Sequence, residues 1–190
     1  MTARTHDLAA ITALGVVALA TYLPTLTLST ILIALLANQI GGITPDIDQP
    51  TAPFWRNLPI AGYFGKLIDK MLGGHRFLTH SLIGVGIFGF LAQALLHFLH
   101  PIMKSADTRV IWWAFIIGML SHLVMDTLTK EGVPWLLPIP VKFGFPPLRA
   151  LRITTGKKLE SLLFLLLLAF DILACWAYYP QLLAIVQTRT

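Results

Sequence analysis

Five long apolar stretches, separated by prolines, glycines and charged residues, constrain this chain more than any other feature. The hydrocarbon core of a bilayer is about 30 Å thick, and an α-helix needs roughly 20 mostly apolar residues to cross it. The stretches cover residues 8–23, 26–43, 81–99, 110–128 and 159–179. Each predicts a membrane-spanning helix, because a helix satisfies its own backbone polar groups in lipid.

The composition agrees with a membrane protein. Hydrophobic residues make up 56% of the 190 residues and charged residues only 12%, about half the charged share of a soluble domain. We predict an all-α, polytopic membrane helical bundle of about five transmembrane helices, forming one domain over residues 1–190. The first stretch lacks a clear small-residue cleavage site, so it is interpreted as a retained helix. The single Cys175 excludes an intramolecular disulfide and a cysteine-rich zinc site.

The distribution of basic residues predicts the orientation. With a cytoplasmic N-terminus, every Lys and Arg falls on the inside except Lys104, Arg109 and Arg189, as the positive-inside rule requires. The two longer polar segments, residues 44–80 and 129–158, then lie in the cytoplasm. The net charge of +5 follows from these loops, and no nucleic-acid partner is expected.

Residues that commonly bind metals occur at one end of every predicted helix. In the predicted topology these ends all lie on the cytoplasmic side, with His6 placed just before the first helix. Ionisable groups at membrane depth cost about 2.5–3.5 kcal/mol each and normally face a partner, a polar interior or a metal. We therefore predict a shared divalent-cation site. Its candidates are His6, Asp46, Asp48, His75, His80, His122, Asp126 and Glu160.

The stretch 44-TPDIDQP-50 places Asp46 and Asp48 between two prolines. Proline restricts its neighbours to extended or turned backbone, which aims both carboxylates to a common side. Such a pair suits a divalent cation, and either aspartate can instead orient a histidine ligand. The alternative is an Asx turn that ends the helix.

The stretch 75-HRFLTHS-81 carries two imidazoles five residues apart. His75 and His80 can meet at one metal if the chain turns between them. Arg76 can then clamp a phosphate or a carboxylate, because its guanidinium makes bidentate bonds with such groups. The alternative is an interfacial cluster that snorkels into lipid headgroups.

In the fourth stretch, His122 and Asp126 are one helical turn apart. They can share a metal, or the carboxylate can orient the imidazole; the alternative is a structural hydrogen-bonded pair. Glu131 follows the helix end and is either exposed or catalytic. Asp171 lies within the fifth stretch with no assigned role, and a hydroxyl, an arginine or a histidine would each suit it as a partner.

The ordered set 5-TH-6, 45-PDID-48, 75-HRxxTHS-81, 121-SHxxxDxxTxxGV-133 and 155-TGKKLE-160 resembles the YdjM-like family of predicted membrane-bound metal-dependent hydrolases. The resemblance covers most of the chain. Phe77 stands where the family pattern usually has glycine, which removes no ligand. The resemblance implies a divalent-metal hydrolase in the bacterial or archaeal inner membrane. The His/Asp set is also distantly similar to zinc-dependent phospholipase C and the zinc nucleases.

Two functional hypotheses account for the polar residues. The first is an enzyme whose metal, expected to be zinc, activates water against an ester or phosphoester of a lipid-like substrate, such as a lipid phosphate. Arg76, Glu160 and Asp48 are then the predicted catalytic residues. The second is a metal or ion transporter that uses the same groups. A non-catalytic scaffold explains the hydrophobicity but not the histidines. The chain has no H-E-x-x-H or G-x-S-x-G motif.

Overall fold

The computed structural model describes residues 1–21, 26–49, 76–139 and 141–180. Among these residues it has five α-helices, each long and apolar enough to cross a membrane. They are α1 (Ala3–Ala20), α2 (Leu28–Ile43), α3 (Leu82–Leu99), α4 (Thr108–Thr127) and α5 (Lys158–Ala177). The described part of the chain has no β-strand and only two isolated β-bridges. The predicted all-α bundle of about five transmembrane helices is confirmed, whereas the cytoplasmic side of the N-terminus stays a prediction.

The first helix begins earlier than its apolar stretch. α1 starts at Ala3 after an extended Thr2, so the prediction that His6 precedes the helix was wrong. Hydropathy misses this turn because its side chains are polar. Its Thr5 hydroxyl donates to a buried carboxylate of α5, so Thr5 and the buried His6 face the protein and not the lipid.

α2 and α4 approach each other closely along small residues. A Cβ on Gly41 would overlap the Phe115 carbonyl, and one on Gly118 would overlap the Asn38 carbonyl. The Asn38 side chain, which is fully buried, donates to the Ala114 carbonyl at 3.1 Å. Small residues allow such backbone approach in membranes, where interhelical packing replaces the hydrophobic effect.

The other helices surround α4. In the 18-residue stretch of each helix that could cross a membrane, 56% of the residues of α4 are buried, against 17% for α3 and 6% for α5. α4 is therefore central, and the other two helices face lipid. Trp112 of α4 donates to the Gly89 carbonyl of α3 at 2.8 Å. α5 packs on α1, where the Thr12 hydroxyl lies 2.8 Å from an Asp171 carboxylate oxygen. A hydroxyl is thus the partner of Asp171.

The two ends of the bundle have different characters. At one end, Thr27 and Ser29 donate to the Ser105 carbonyl, which ties the start of α2 to the α3–α4 connection. The starts of α1, α3 and α5 and the ends of α2 and α4 gather at the opposite end. There the 3₁₀ turn Thr44–Asp48 continues α2, and the 3₁₀ turn Leu78–His80 precedes α3.

The segment after α4 folds beneath this second end. Val133 and Phe143 exchange two backbone hydrogen bonds of 2.8 Å. The Leu82 amide donates to the Trp135 carbonyl at 3.0 Å, and the Trp135 indole donates to Thr127 at 2.8 Å. These bonds attach the connection between α4 and α5 to the start of α3, so it forms an ordered floor under the polar end.

Candidate metal centre

Five of the predicted metal ligands converge at the polar end of the bundle. They form two overlapping groups, each with potential ligand atoms within 4.8 Å of one another. One group is His6, His122 and Asp126, and the other is Asp46, His80 and His122. The ligands come from α1, from α4 and from the two 3₁₀ turns, so the centre exists only when these elements pack together.

The distances fit one small cation. His122 Nε2 lies 3.6 Å from Asp46 Oδ1 and 3.7 Å from Asp126 Oδ2. His80 Nε2 lies 3.8 and 3.5 Å from the same two oxygens, and His6 Nε2 lies 3.3 Å from Asp126 Oδ1. Nitrogen and oxygen ligands at about 2.0–2.2 Å from a tetrahedral zinc stand about 3.4 Å apart. The separations are thus close to those around a tetrahedral zinc, while Asp126 Oδ2 also lies 2.6 Å from Arg76 Nη2.

The tautomer of His122 is set by a backbone carbonyl. Its Nδ1 lies 2.6 Å from the oxygen of Gly42, which can only accept, so Nδ1 carries the hydrogen and the lone pair of the neutral ring is on Nε2. This Nε2 is buried and has no hydrogen-bond partner. Buried polar atoms are rarely left so, and a metal ligand is one explanation of an exception.

Gly42 was not among the predicted site residues. Its contribution is a main-chain oxygen, which every residue type has, so no sequence pattern points to it. The close α2–α4 packing, with Gly42 at the end of α2, is what brings this carbonyl to His122.

His80 is oriented by a hydrogen-bonded chain that runs away from the centre. The Thr79 hydroxyl donates to Asp48 Oδ2, so its lone pair accepts from His80 Nδ1, 3.0 Å away. His80 Nε2 is thereby turned towards Asp46 and Asp126. Burial lowers the pKa of His80, but hydrogen bonds with Asp126 and Asp48 outweigh it and raise the pKa above its ordinary value. The carboxylates that raise this pKa would also attract a metal cation, which can bind Nε2 only in place of the proton.

Asp48 consequently lies behind His80. It is fully buried, and its Oδ2 accepts from the Thr79 hydroxyl and from the Arg76 amide, the latter at 3.0 Å. Of the two arrangements that the sequence left open for Asp48, direct ligand or support for a ligand, its contacts match the second. Thr79 is the intermediate that sequence reasoning did not assign to the site.

Arg76 faces the centre directly. Its guanidinium Nη2 lies 2.6 Å from Asp126 Oδ2, and its Nη1 lies 3.1 Å from Glu131 Oε2. The side chain is only 8% exposed. Its backbone has a φ of 60°, an uncommon conformation for a non-glycine residue that marks functional segments often enough to be informative. Glu131, 63% exposed, is at the outer side of this pair.

Asp126 is the hub of the centre. Its carboxylate is fully buried and contacts the Met1 amino group at 2.8 Å as well as Arg76 and His6. The His6 and His122 rings stack beside it with centroids 3.7 Å apart. Asp46, by contrast, is 23% exposed, which makes it the ligand candidate nearest to solvent.

The remaining candidates lie elsewhere. Glu160 is 3% exposed and belongs to neither ligand group. It accepts hydrogen bonds from the amide and hydroxyl of Thr2, from the Thr5 hydroxyl and from the Gly156 amide, at 2.6–2.8 Å. This clamp joins the start of α1 to α5, while the predicted role as ligand or base stays a prediction. His75 lies outside the described residues.

Comparison with known proteins matches the chain to a family. The sequence profile described as YdjM inner membrane protein matches residues 1–182. The chain is 27% identical over 143 residues to "Uncharacterized protein YvsG" of Bacillus subtilis, covering 75% of this chain and 76% of the relative. It is 32% identical over 135 residues to "Inner membrane protein YdjM" of Escherichia coli, covering 68% of this chain and 60% of the relative. No solved structure matches.

Proposed function

The chain belongs to the YdjM inner membrane protein family, and on this premise we propose that it is a membrane-bound, divalent-metal-dependent hydrolase. The observation that carries the proposal is the buried Nε2 of His122, which lacks a hydrogen bond and faces the carboxylates of Asp46 and Asp126. An unsatisfied buried polar atom costs about 1–3 kcal/mol. A bound cation would remove this cost.

The donor set supports zinc as the proposed ion. His6, His80 and His122 supply imidazole nitrogens, and Asp46 and Asp126 supply carboxylate oxygens. Imidazole with carboxylate is typical of catalytic zinc, which keeps one position open for water. When bound, such an ion lowers the pKa of water to about 7 and polarises an ester or phosphoryl oxygen.

The residues around the ligands would orient them and stabilise charge on the substrate. Arg76, within 2.6 Å of Asp126, is positioned to stabilise negative charge that develops on a phosphoester oxygen. Asp48 holds His80 in its orientation through Thr79. Asp46, the partly exposed ligand candidate, lies where an ion or a substrate would enter.

The location of the centre suggests the substrate class. Its ligands lie at the ends of membrane-spanning helices, where an ester or phosphoester headgroup of a lipid-like molecule would stand. By the positive-inside rule, the distribution of basic residues predicts that this end faces the cytoplasm. We therefore propose a lipid-like ester or phosphoester as substrate.

A metal or ion transporter is the second candidate. The observation that favours it is the Thr12–Asp171 pair, which adds polar groups farther along the bundle from the His/Asp centre. A transport path needs such groups through the bilayer. Ion flux in liposomes without turnover of any ester would support this candidate over the hydrolase.

The test is metal analysis of purified protein together with a hydrolysis screen over phospholipid and isoprenoid phosphate esters. We expect a stoichiometric divalent ion and metal-dependent turnover in the wild type. His122→Ala should lose the ion and the turnover but still insert into the membrane, because it removes a ligand and no apolar anchor. The matched control is His97→Ala, an exposed histidine of α3. Full metal content in His122→Ala would contradict the proposal.

A further inference from the structure

We propose that a cavity between the first turns of α1 and α5 binds the headgroup of one anionic phospholipid. The cavity has a volume of about 280 Å³. It is lined mainly by Thr2, Arg4, Glu160, Ser161, Phe164 and Leu165. None of the five residues of the candidate metal centre lines it, so this site is separate from the centre and does not depend on the proposed hydrolysis.

The cavity lies where a lipid can enter from the bilayer. Only 6% of the residues in the membrane-spanning stretch of α5 are buried, the lowest share among the described helices. Among those helices, α5 packs chiefly on α1. Thr5 lines the cavity, whereas the next residue, His6, belongs to the metal centre. The α1 backbone thus separates a lipid-facing groove from the polar centre.

Basic residues at the mouth of the cavity and apolar residues farther along α5 match the headgroup and the acyl chains of a phospholipid. Arg4 lines the cavity, and Lys157 and Lys158 are exposed at the start of α5. Arg4 makes no hydrogen bond or ion pair with any residue that the structure describes. Phe164 and Leu165 form an apolar wall one turn farther along α5. Basic pockets between helices at a membrane surface bind acidic headgroups, and the apolar wall lies where the acyl chain would follow.

The carboxylate of Glu160 does not cancel this attraction. Its oxygens are occupied by four donors from Thr2, Thr5 and Gly156, and the side chain is 3% exposed. The three basic side chains, in contrast, are free to reach a headgroup. An anion at this mouth therefore meets a net positive field.

The experiment is native mass spectrometry of the detergent-purified full chain, titrated with phosphatidylglycerol or with phosphatidylcholine of the same acyl chains. We expect one phosphatidylglycerol to bind about tenfold more tightly than phosphatidylcholine. The triple variant Arg4→Gln, Lys157→Gln, Lys158→Gln should lose this preference. The matched control Lys104→Gln, Arg109→Gln changes exposed basic residues at the other end of the bundle and should keep it.

A second variant tests the cavity itself. Ser161→Trp places a large side chain on α5 beside Phe164 and Leu165, so it should reduce the bound lipid at unchanged helicity by circular dichroism. Equal binding of the two lipids by the wild type, or an unchanged preference in the triple variant, would overturn the proposal. Displacement of the lipid by water-soluble glycerol phosphate would also overturn it, since that result assigns the site to a free phosphate.

Discussion

At the scale of single residues, the centre depends on atoms that orient the ligands as much as on the ligands. The Gly42 carbonyl sets the tautomer of His122. The Thr79 hydroxyl links Asp48 to His80 through two hydrogen bonds. Both supports are buried. Partners of this kind typically change metal affinity by 10–100-fold when they are removed.

The role of Thr79 gives a prediction at this scale. Thr79→Val keeps the β-branched shape but removes the hydroxyl that joins His80 to Asp48, so we expect zinc affinity to fall about 10–100-fold with the helical content unchanged. Isothermal titration of the metal-free protein measures this. The control is Thr44→Val, since the Thr44 hydroxyl only bonds within its own helix end, to the Ile40 carbonyl at 2.7 Å. Equal zinc affinity of the two variants would show that the Thr79 hydroxyl does not support the metal centre.

At the scale of the helices, the centre depends on the close approach of α2 and α4. This interface carries Gly42 towards His122 and is formed by small residues that leave no room for a Cβ at Gly41 or Gly118. Each of the five helices also exposes large apolar side chains, as lipid contact requires. Packing at Gly41 and Gly118 therefore determines how α2 and α4 are placed relative to each other, and with it the geometry of the centre.

Two glycine-to-alanine variants test how far the centre depends on the α2–α4 interface. Gly118→Ala overpacks the α2–α4 interface, because its Cβ would overlap the Asn38 carbonyl, and we expect a destabilisation of about 1–3 kcal/mol. Gly86→Ala in α3 meets nothing within 4 Å and should be neutral or slightly stabilising, since alanine is the better helix former. Thermal or denaturant unfolding in detergent measures both. Comparable stability of the two variants would show that α2 and α4 can separate at no cost.

At the scale of the whole molecule, the alternating helix directions bring five helix ends to one polar end. At the opposite end, the hydroxyls of Thr27 and Ser29 donate to the Ser105 carbonyl. If the N-terminus is cytoplasmic, the polar end and its floor of residues 128–139 and 141–157 face the cytoplasm. The basic residues of that floor then obey the positive-inside rule.

The orientation is tested by fusing topology reporters. A reporter after Asp48 or within 142-KFGFPPLRA-150 should report cytoplasm, and one at Ser105 should report the exterior. The reason is that every Lys and Arg except Lys104, Arg109 and Arg189 belongs to a segment that the positive-inside rule predicts to be cytoplasmic. The reverse pattern would place the candidate metal centre on the outer face and exclude a cytoplasmic-leaflet substrate.

The sequence by itself determined the helices and the residues that gather at one end of the bundle. Insertion into a membrane depends on hydropathy summed along each segment, so five apolar stretches were enough to predict five helices. The start of α1 was misplaced, because its first turn is polar and its Thr5 bonds to Glu160 within the protein.

Only the tertiary structure decided which atom each side chain presents and to what. Asp46 and Asp48 are two residues apart, yet Asp46 faces the centre and Asp48 supports His80 from behind. Glu160 carries the same charge as both and instead clamps α1 to α5. These differences follow from how the helices rotate and approach one another. That geometry is set by contacts between segments far apart in the chain, which no local pattern of residues records.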